Sequence, residues 1–473
     1  MKNKYLSSLF LIFSIFVSNS FAFNFDSKKF AIIDEFLSQL GQQGFSGSVL
    51  VSDGTNVFKK GYGLADRENK IKVDENTVFT VGSVTKQFTG AAILKLEMQG
   101  KLSVTDTIDK YLKDVPADKK SITLHHLLTH SSGLPPQFGG DYDVLERDDF
   151  LEKTWKTSLL SKPGEKYEYS NIGYSVLSAI IEIVSGQTYE QYLHENLFVP
   201  AKMMQTGYKL PNWKPEQLSV GYRGENRWGK STEKPWGKTG PYWNLLGNGG
   251  ILSTTGDLYK WHQALLGDEI LNKQAKEKYY KRHIEEGEGA GTFYGYGWAL
   301  FPTPRNTTLI THNGGNGIFF CDFLRYIDEK VTIIMFTNSM RREFERIPRE
   351  IAGVFFRPDY KPVLNLQPAQ TISSLEAHPN GKMLSEFFKT IRSGNKEAIE
   401  KFIKENFEPR FLNAVPMTQH LQVLTNIGND IKDSEIDKIL VSEERTTISY
   451  KNKPIKLNIR IENGKIGGLG LGG

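Results

Sequence analysis

Ser83-Val84-Thr85-Lys86 places a hydroxyl and an amine three residues apart, where a loop meets an apolar helical stretch. A serine hydroxyl is a poor nucleophile until a base removes its proton. At the first turn of a helix residues i and i+3 share a face, so the Lys86 amine can reach the Ser83 oxygen. Backbone N–H groups at the helix start, together with the helix dipole, favour negative charge developing there. The lysine acts as a base only when neutral, a state that burial or neighbouring positive charge produces. Taken alone, the tetrapeptide reads equally as an N-cap serine beside a surface lysine.

Two further segments supply complementary groups. In Tyr169-Ser170-Asn171 the alternate side chains of a loop can point one way, so a phenol and an amide can share a cavity. A phenol near cationic groups is drawn toward phenolate and can serve as general base, then acid. The ordinary alternative is a tyrosine-rich structural loop. His312-Asn313-Gly314-Gly315 directly follows a strand pattern at Thr308-Thr311. Glycines at a strand end, Gly314 and Gly315 here, let a substrate approach the backbone. The Gly315 N–H, paired with that of Ser83, can form an oxyanion hole. A glycine turn with an incidental histidine is the plain alternative.

These groups need a scaffold, and the hydrophobic pattern supplies one. Phe30, Ile33, Phe36, Leu37 and Leu40 after Asp26-Ser27 predict an amphipathic helix. Ser48-Val51 and Val57-Tyr62 around Asp53-Gly54 predict an antiparallel hairpin. Residues 83–99, closed by Gly100, are apolar on most of the surface and predict a buried helix. Helical, loop-rich sequence runs to about Leu265. Strand patterns then return at Tyr296-Leu300, Thr308-Thr311, Ile318-Ile327 and Val331-Asn338. Strands at both ends with helices between them imply an α/β (α+β) sandwich. In it one antiparallel sheet is closed by distant parts of the chain and covered by helices on both sides, with an all-helical lobe attached. Prolines at 358, 362, 368 and 379 mark a linker over 358–380. Beyond it a helix pair and three or four short strands predict a small α+β domain over 381–473, which carries no catalytic-looking cluster.

With these segments in view, the chain resembles the serine β-lactamase and penicillin-binding-protein family of the class C type, which includes DD-peptidases, D-aminopeptidases and esterases. Phe79-Thr80-Val81-Gly82-Ser83-Val84-Thr85-Lys86-Gln87-Phe88-Thr89 looks like that family's nucleophile segment. Ile122 to Pro135 and Gly247 to Leu258 are similar to two of its other segments, and the matches cover most of residues 28–357. The resemblance implies that Ser83 is acylated and that Lys86 helps to deprotonate it. Tyr169 would shuttle the proton to the leaving group and later activate water. Asn171 would hold a substrate amide or tune the lysine, and Gly315 would supply the second oxyanion N–H. His312 would occupy the position where many members carry the lysine of a K-T-G triad. Histidine is largely neutral at pH 7, so a substrate carboxylate loses its fixed cation and efficient β-lactam hydrolysis is not expected. The expected substrate is a peptide amide of D-Ala-D-Ala or D-amino-acid type, cell-wall peptide included, or a small ester. The alternatives are a non-catalytic penicillin-recognising or cell-wall binding protein and a true class C-type β-lactamase.

Other signals are set aside. Lys238-Thr239-Gly240 spells the triad but sits in a Trp/Pro/Gly-rich loop with no strand behind it. In that loop Trp228, Trp236, Tyr242 and Trp243 either line the rim of the site or pin the loop down. His126 and His130 have metal-ligand spacing, yet no H-E-x-x-H and no carboxylate partner accompany them, so no metal and no cofactor is expected. No G-x-S-x-G elbow surrounds a serine. A net charge of +5 over 473 residues, without a polybasic cluster, gives no sign of nucleic-acid binding. Lys2 and Lys4, the apolar run Tyr5 to Val17 and Ser20-Phe21-Ala22 fit a signal peptide over 1–22 cleaved after Ala22. A periplasmic or secreted protein with no transmembrane segment after cleavage is therefore expected. Cys321 is the single cysteine, so no internal disulfide can form.

Overall fold

The computed structural model describes residues 27–364, 370–412, 415–441, 445–451, 453–462 and 464–472. The expected signal peptide and its cleavage point lie outside the described residues. The chain divides into two compact units at 364/365.

The first unit is built on an eight-stranded antiparallel sheet. Its strands are β1 (Gly47–Ser52), β2 (Val57–Tyr62), β3 (Ile284–Glu285), β4 (Phe293–Tyr294), β5 (Ala299–Pro302), β6 (Thr308–Gly315), β7 (Phe320–Tyr326) and β8 (Val331–Thr337), in the order β2-β1-β8-β7-β6-β5-β4-β3. Distant parts of the unit meet where β1 pairs with β8, Gly47 opposite Thr337. Alternation in β1 sends its two faces to different partners. Ser48 and Ser52 hydrogen-bond to Thr255 and Tyr259 of one helix (Thr255–Leu266). On the other face Lys60, opposite Val49, pairs with Asp34 of helix α1 (Ser27–Gln42). Helices therefore cover both faces.

Helix α2 (Thr85–Met98) is the central helix. From Thr85 to Leu96 every residue but Lys95 is buried. Its Phe88 meets Phe198 and Trp261 edge-on, and α2 packs on helix α3 (Asn171–Ser185) of the helical lobe. The lobe is not wholly helical. Short ribbons pair Phe79–Thr80 with Leu252–Ser253 and Gly221–Arg223 with Asn226–Gly229. No helix among the described residues is long and apolar enough to cross a membrane.

The second unit has a five-stranded antiparallel sheet. Its strands run Gln370–Ile372, Ile436–Val441, Thr446–Tyr450, Lys456–Glu462 and Lys465–Gly472, in chain order across the sheet. Helices Gly381–Ser393, Lys396–Asn406 and Met417–Ile431 share its core, which includes Phe387, Ile403, Leu424 and Leu457. Thus 358–380 is not linker throughout. Gln370–Ile372 pairs with Val441, Leu440 and Ile439 as an edge strand, a pairing that local proline content does not register.

Candidate active site

The expected helix over 83–99 begins with a tighter turn. Gly82–Val84 is 3₁₀ and the α-helix starts at Thr85. This turn is pressed against the end of β6. A Cβ on Gly314 would lie 2.2 Å from the Val81 carbonyl oxygen and 2.4 Å from the Ser83 nitrogen. A Cβ on Gly82, whose φ is +54°, would lie 2.5 Å from the Gly315 nitrogen. Backbone meets backbone here, so both glycines are required, and the Ser83 and Gly315 nitrogens both lie at this contact.

The same contact explains a difference from the sequence pattern, which ended the strand at Thr311. His312, Asn313, Gly314 and Gly315 are its last four residues, opposite Phe323, Asp322, Cys321 and Phe320 of β7. Two glycines have weak intrinsic strand preference, and the neighbouring strand overrides it.

Lys86 is fully buried. Its Nζ lies 2.8 Å from Asn171 Oδ1, 2.8 Å from the Asn248 carbonyl oxygen and 3.2 Å from Ser83 Oγ. Burial pushes the amine well below the ordinary lysine range, with Asp141 partly opposing it. A neutral amine has two N–H groups and one lone pair. When the amine is neutral, the two carbonyl-type oxygens can take its N–H groups, and its lone pair can then face the Ser83 hydroxyl 3.2 Å away.

Asn171 is held by its neighbour. Ser170 caps α3, its Oγ accepting the Gly173 N–H at 3.1 Å, so Asn171 opens the helix. Asn248 was not singled out by sequence. Its carbonyl is turned to Lys86 by a backbone that only glycine allows at the preceding position. Gly247 has φ of +76°, and a Cβ there would fall 1.6 Å from Ser178 Oγ. Gly247→Ala is expected to lower stability by about 2–4 kcal/mol, measured by urea denaturation. An unchanged midpoint would count against this packing.

Tyr169 is half-buried, and burial raises its phenol above the ordinary value, with a hydrogen bond to Ser83 partly opposing it. This corrects the expectation of a phenol drawn toward phenolate. The nearby amine, 4.8 Å from the ring centroid, does not offset that burial. Tyr169 is therefore poised as a proton donor.

His130, weighed for metal spacing, is part of this support. It is buried in the left-handed region at φ +55°. Its ring lies 4.2 Å from that of Tyr169, its carbonyl accepts the Glu168 N–H at 2.7 Å, and Nδ1 accepts the Ser170 N–H at 3.0 Å. It thus grips the backbone on both sides of Tyr169.

His312 reaches the same cluster. Nδ1 donates to the Asn313 carbonyl at 2.5 Å, so Nε2 accepts from the Tyr294 hydroxyl at 2.9 Å. Burial, with Lys86 adding to it, pushes His312 down to about 3, and the ring is neutral across the physiological range.

Two cavities meet at Ser83 and Gly315. The larger, about 620 Å³, is lined by Tyr169, His312, Glu286, Tyr294 and Arg349 among others. The smaller, about 40 Å³, is lined by Asn171, Asp141, Tyr142 and Asn248. The aromatic loop lines neither. Trp228 packs on Phe319 and Tyr142, Trp236 on Tyr208, and Trp243 on Phe150, so these rings pin the loop. Lys238 is exposed in that loop, away from both cavities. Among the described residues no group of His, Cys, Asp and Glu has metal-site geometry.

Residues 32–354 match the family model described as Beta-lactamase. The chain belongs to the beta-lactamase family. As a member it is a serine hydrolase with the mixed α/β fold of that family. Penicillin-binding protein 4* of Bacillus subtilis (strain 168) is 29% identical over 311 residues, which are 62% of this chain and 68% of that protein. The crystal structure of a penicillin binding protein from Bacillus halodurans is 25% identical and superposes with a TM-score of 0.58, covering 69% of this chain and all (100%) of that one. The octameric penicillin-binding protein homologue from Pyrococcus abyssi shares the fold over 93% of this chain and 94% of its own, at a TM-score of 0.64 and 22% identity.

Proposed function

We propose that this beta-lactamase-family hydrolase forms an acyl-enzyme at Ser83 with a peptide amide or a small ester, and that it acts after export. The observation that carries this reading is the buried Lys86 amine, held at 2.8 Å by Asn171 Oδ1 and by the Asn248 carbonyl and set 3.2 Å from Ser83 Oγ, with its pKa pushed down by burial.

In acylation the Ser83 proton passes to Lys86 Nζ as Oγ bonds to the substrate carbonyl carbon. The developing oxyanion lies between the Ser83 and Gly315 N–H groups. When the C–N or C–O bond breaks, the leaving group takes the Tyr169 proton. Burial disfavours the Lys86 ammonium, which returns its proton to the phenolate. Water then attacks the ester, giving its proton back through Tyr169 and Lys86 as Ser83 Oγ leaves. The net change is amide or ester plus water to acid plus amine or alcohol.

The neutral His312 supports amides and esters over β-lactams, because the strand offers no fixed cation there for a lactam carboxylate. Intact-mass spectrometry after incubation with a fluorophosphonate is expected to show one adduct, located on Ser83 by peptide mapping. An adduct elsewhere, or none, overturns the reading. A panel of p-nitrophenyl esters, a chromogenic cephalosporin and D-Ala-D-Ala peptides is expected to rank the cephalosporin last.

A further inference from the structure

Among the described residues four charged side chains line the larger cavity: Glu286, Arg305, Asp322 and Arg349. Three of them have an opposite charge at hand. Arg305 is paired with Glu329 at 2.6 Å, and Asp322 and Arg349 stand close enough to act on each other. Glu286 has none. Its carboxylate accepts hydrogen bonds from Tyr167 and Thr292, both neutral, and no basic side chain among the described residues acts on it. The basic residues just before it in the chain are engaged elsewhere. Lys281 acts on His125 and His283, and Arg282 donates to the Thr308 hydroxyl at 2.9 Å.

Glu286 is also placed for the substrate. It follows strand β3, and its N–H bonds to the Thr292 carbonyl at 2.9 Å, which continues the pairing of β3 with β4. Tyr167 and Tyr294 line the cavity with it, their rings 5.7 Å apart. The carboxylate lies near enough to Tyr169 to act on its phenol. In the acyl transfer proposed above Tyr169 hands its proton to the leaving group, so Glu286 faces that part of the substrate. A half-buried carboxylate without a counter-charge favours a cation beside it. Tyrosine rings attract a cation as well. A neutral or anionic group gains neither contact.

We propose that Glu286, with the rings of Tyr167 and Tyr294, binds an ammonium group on the leaving part of the substrate, so that the enzyme prefers amides and esters of cationic amines and alcohols. The inference rests on acylation of Ser83 and names a leaving-group class for it. The cationic amine or alcohol departs with the Tyr169 proton, and the acyl group stays on Ser83 until water releases it.

The test uses two pairs of substrates that differ by one charge on the leaving group. One pair is acetylcholine and 3,3-dimethylbutyl acetate, which has the same shape without the charge. The other is N-acetyl-D-alanyl-D-lysine and its Nε-acetyl form. For the pair turned over faster, kcat/KM is expected to be at least about 10-fold higher with the cationic member, the scale of one charge-assisted contact. Glu286→Gln is expected to bring that ratio close to one, mainly through KM, and Glu286→Asp to retain part of it. A wild-type ratio near one or below overturns the inference without any variant, as does a ratio that survives Glu286→Gln. Turnover of neither pair, with the Ser83 fluorophosphonate adduct present, overturns this inference and leaves acyl transfer standing. Absence of the adduct overturns both.

Discussion

Ser83→Ala is expected to abolish the covalent adduct and to lower kcat on a p-nitrophenyl ester by on the order of 10⁴- to 10⁶-fold, the scale seen when the attacking group of a serine hydrolase is removed. The loss belongs to chemistry and not to folding. Ser83 is partly exposed at the meeting point of two cavities, and the turn that carries it is fixed by Gly82, Gly314 and the Val81–Ile251 backbone bond at 2.8 Å. An unchanged urea midpoint should accompany the loss. Residual hydrolysis within about 10-fold of wild type would place the nucleophile elsewhere.

The second large effect is expected from Lys86→Met, which keeps the stem and removes the base. Loss of general-base catalysis is worth about 10²- to 10⁴-fold in acylation rate, read as the rate of fluorophosphonate labelling. In the wild type this rate should fall as the pH is lowered through the pKa of Lys86. Because burial depresses that pKa, the acid limb lies below the ordinary lysine range. The same shift has a consequence for stability. In the unfolded chain the lysine is protonated up to its ordinary value, and in the fold it loses the proton at a lower pH, so between the folded and the unfolded pKa the unfolded state binds more protons. The wild type should therefore gain on Lys86→Met by about 1.4 kcal/mol per pH unit as the pH rises through that window. A difference independent of pH would mean that Lys86 stays charged in the fold, and the base assignment would fail with it.

Much of this site was legible because its chemistry is local in sequence. Ser83 and Lys86 lie one turn apart, Tyr169 and Asn171 alternate about the Ser170 cap, and the strand pattern before His312 announced a strand end. The apolar surface of residues 85–96 likewise marked a buried helix, and burial is what makes Lys86 a base.

Long-range packing decided the rest. Residues 312–315 became strand because β7 lies beside them, against the local weakness of two glycines. Tyr169 became a proton donor because its own burial raises the phenol, which is visible only once the fold encloses it. His130 and Asn248 entered the site from separate loops, held by contacts 40 and 162 residues away in the chain, Ser170 to His130 and Lys86 to Asn248. Ser83 and Lys86 could be read from their spacing alone because a helical turn is a local geometry. The shifted pKa of the amine and the two cavities that meet at Ser83 are properties of desolvated space, and only the folded chain encloses it.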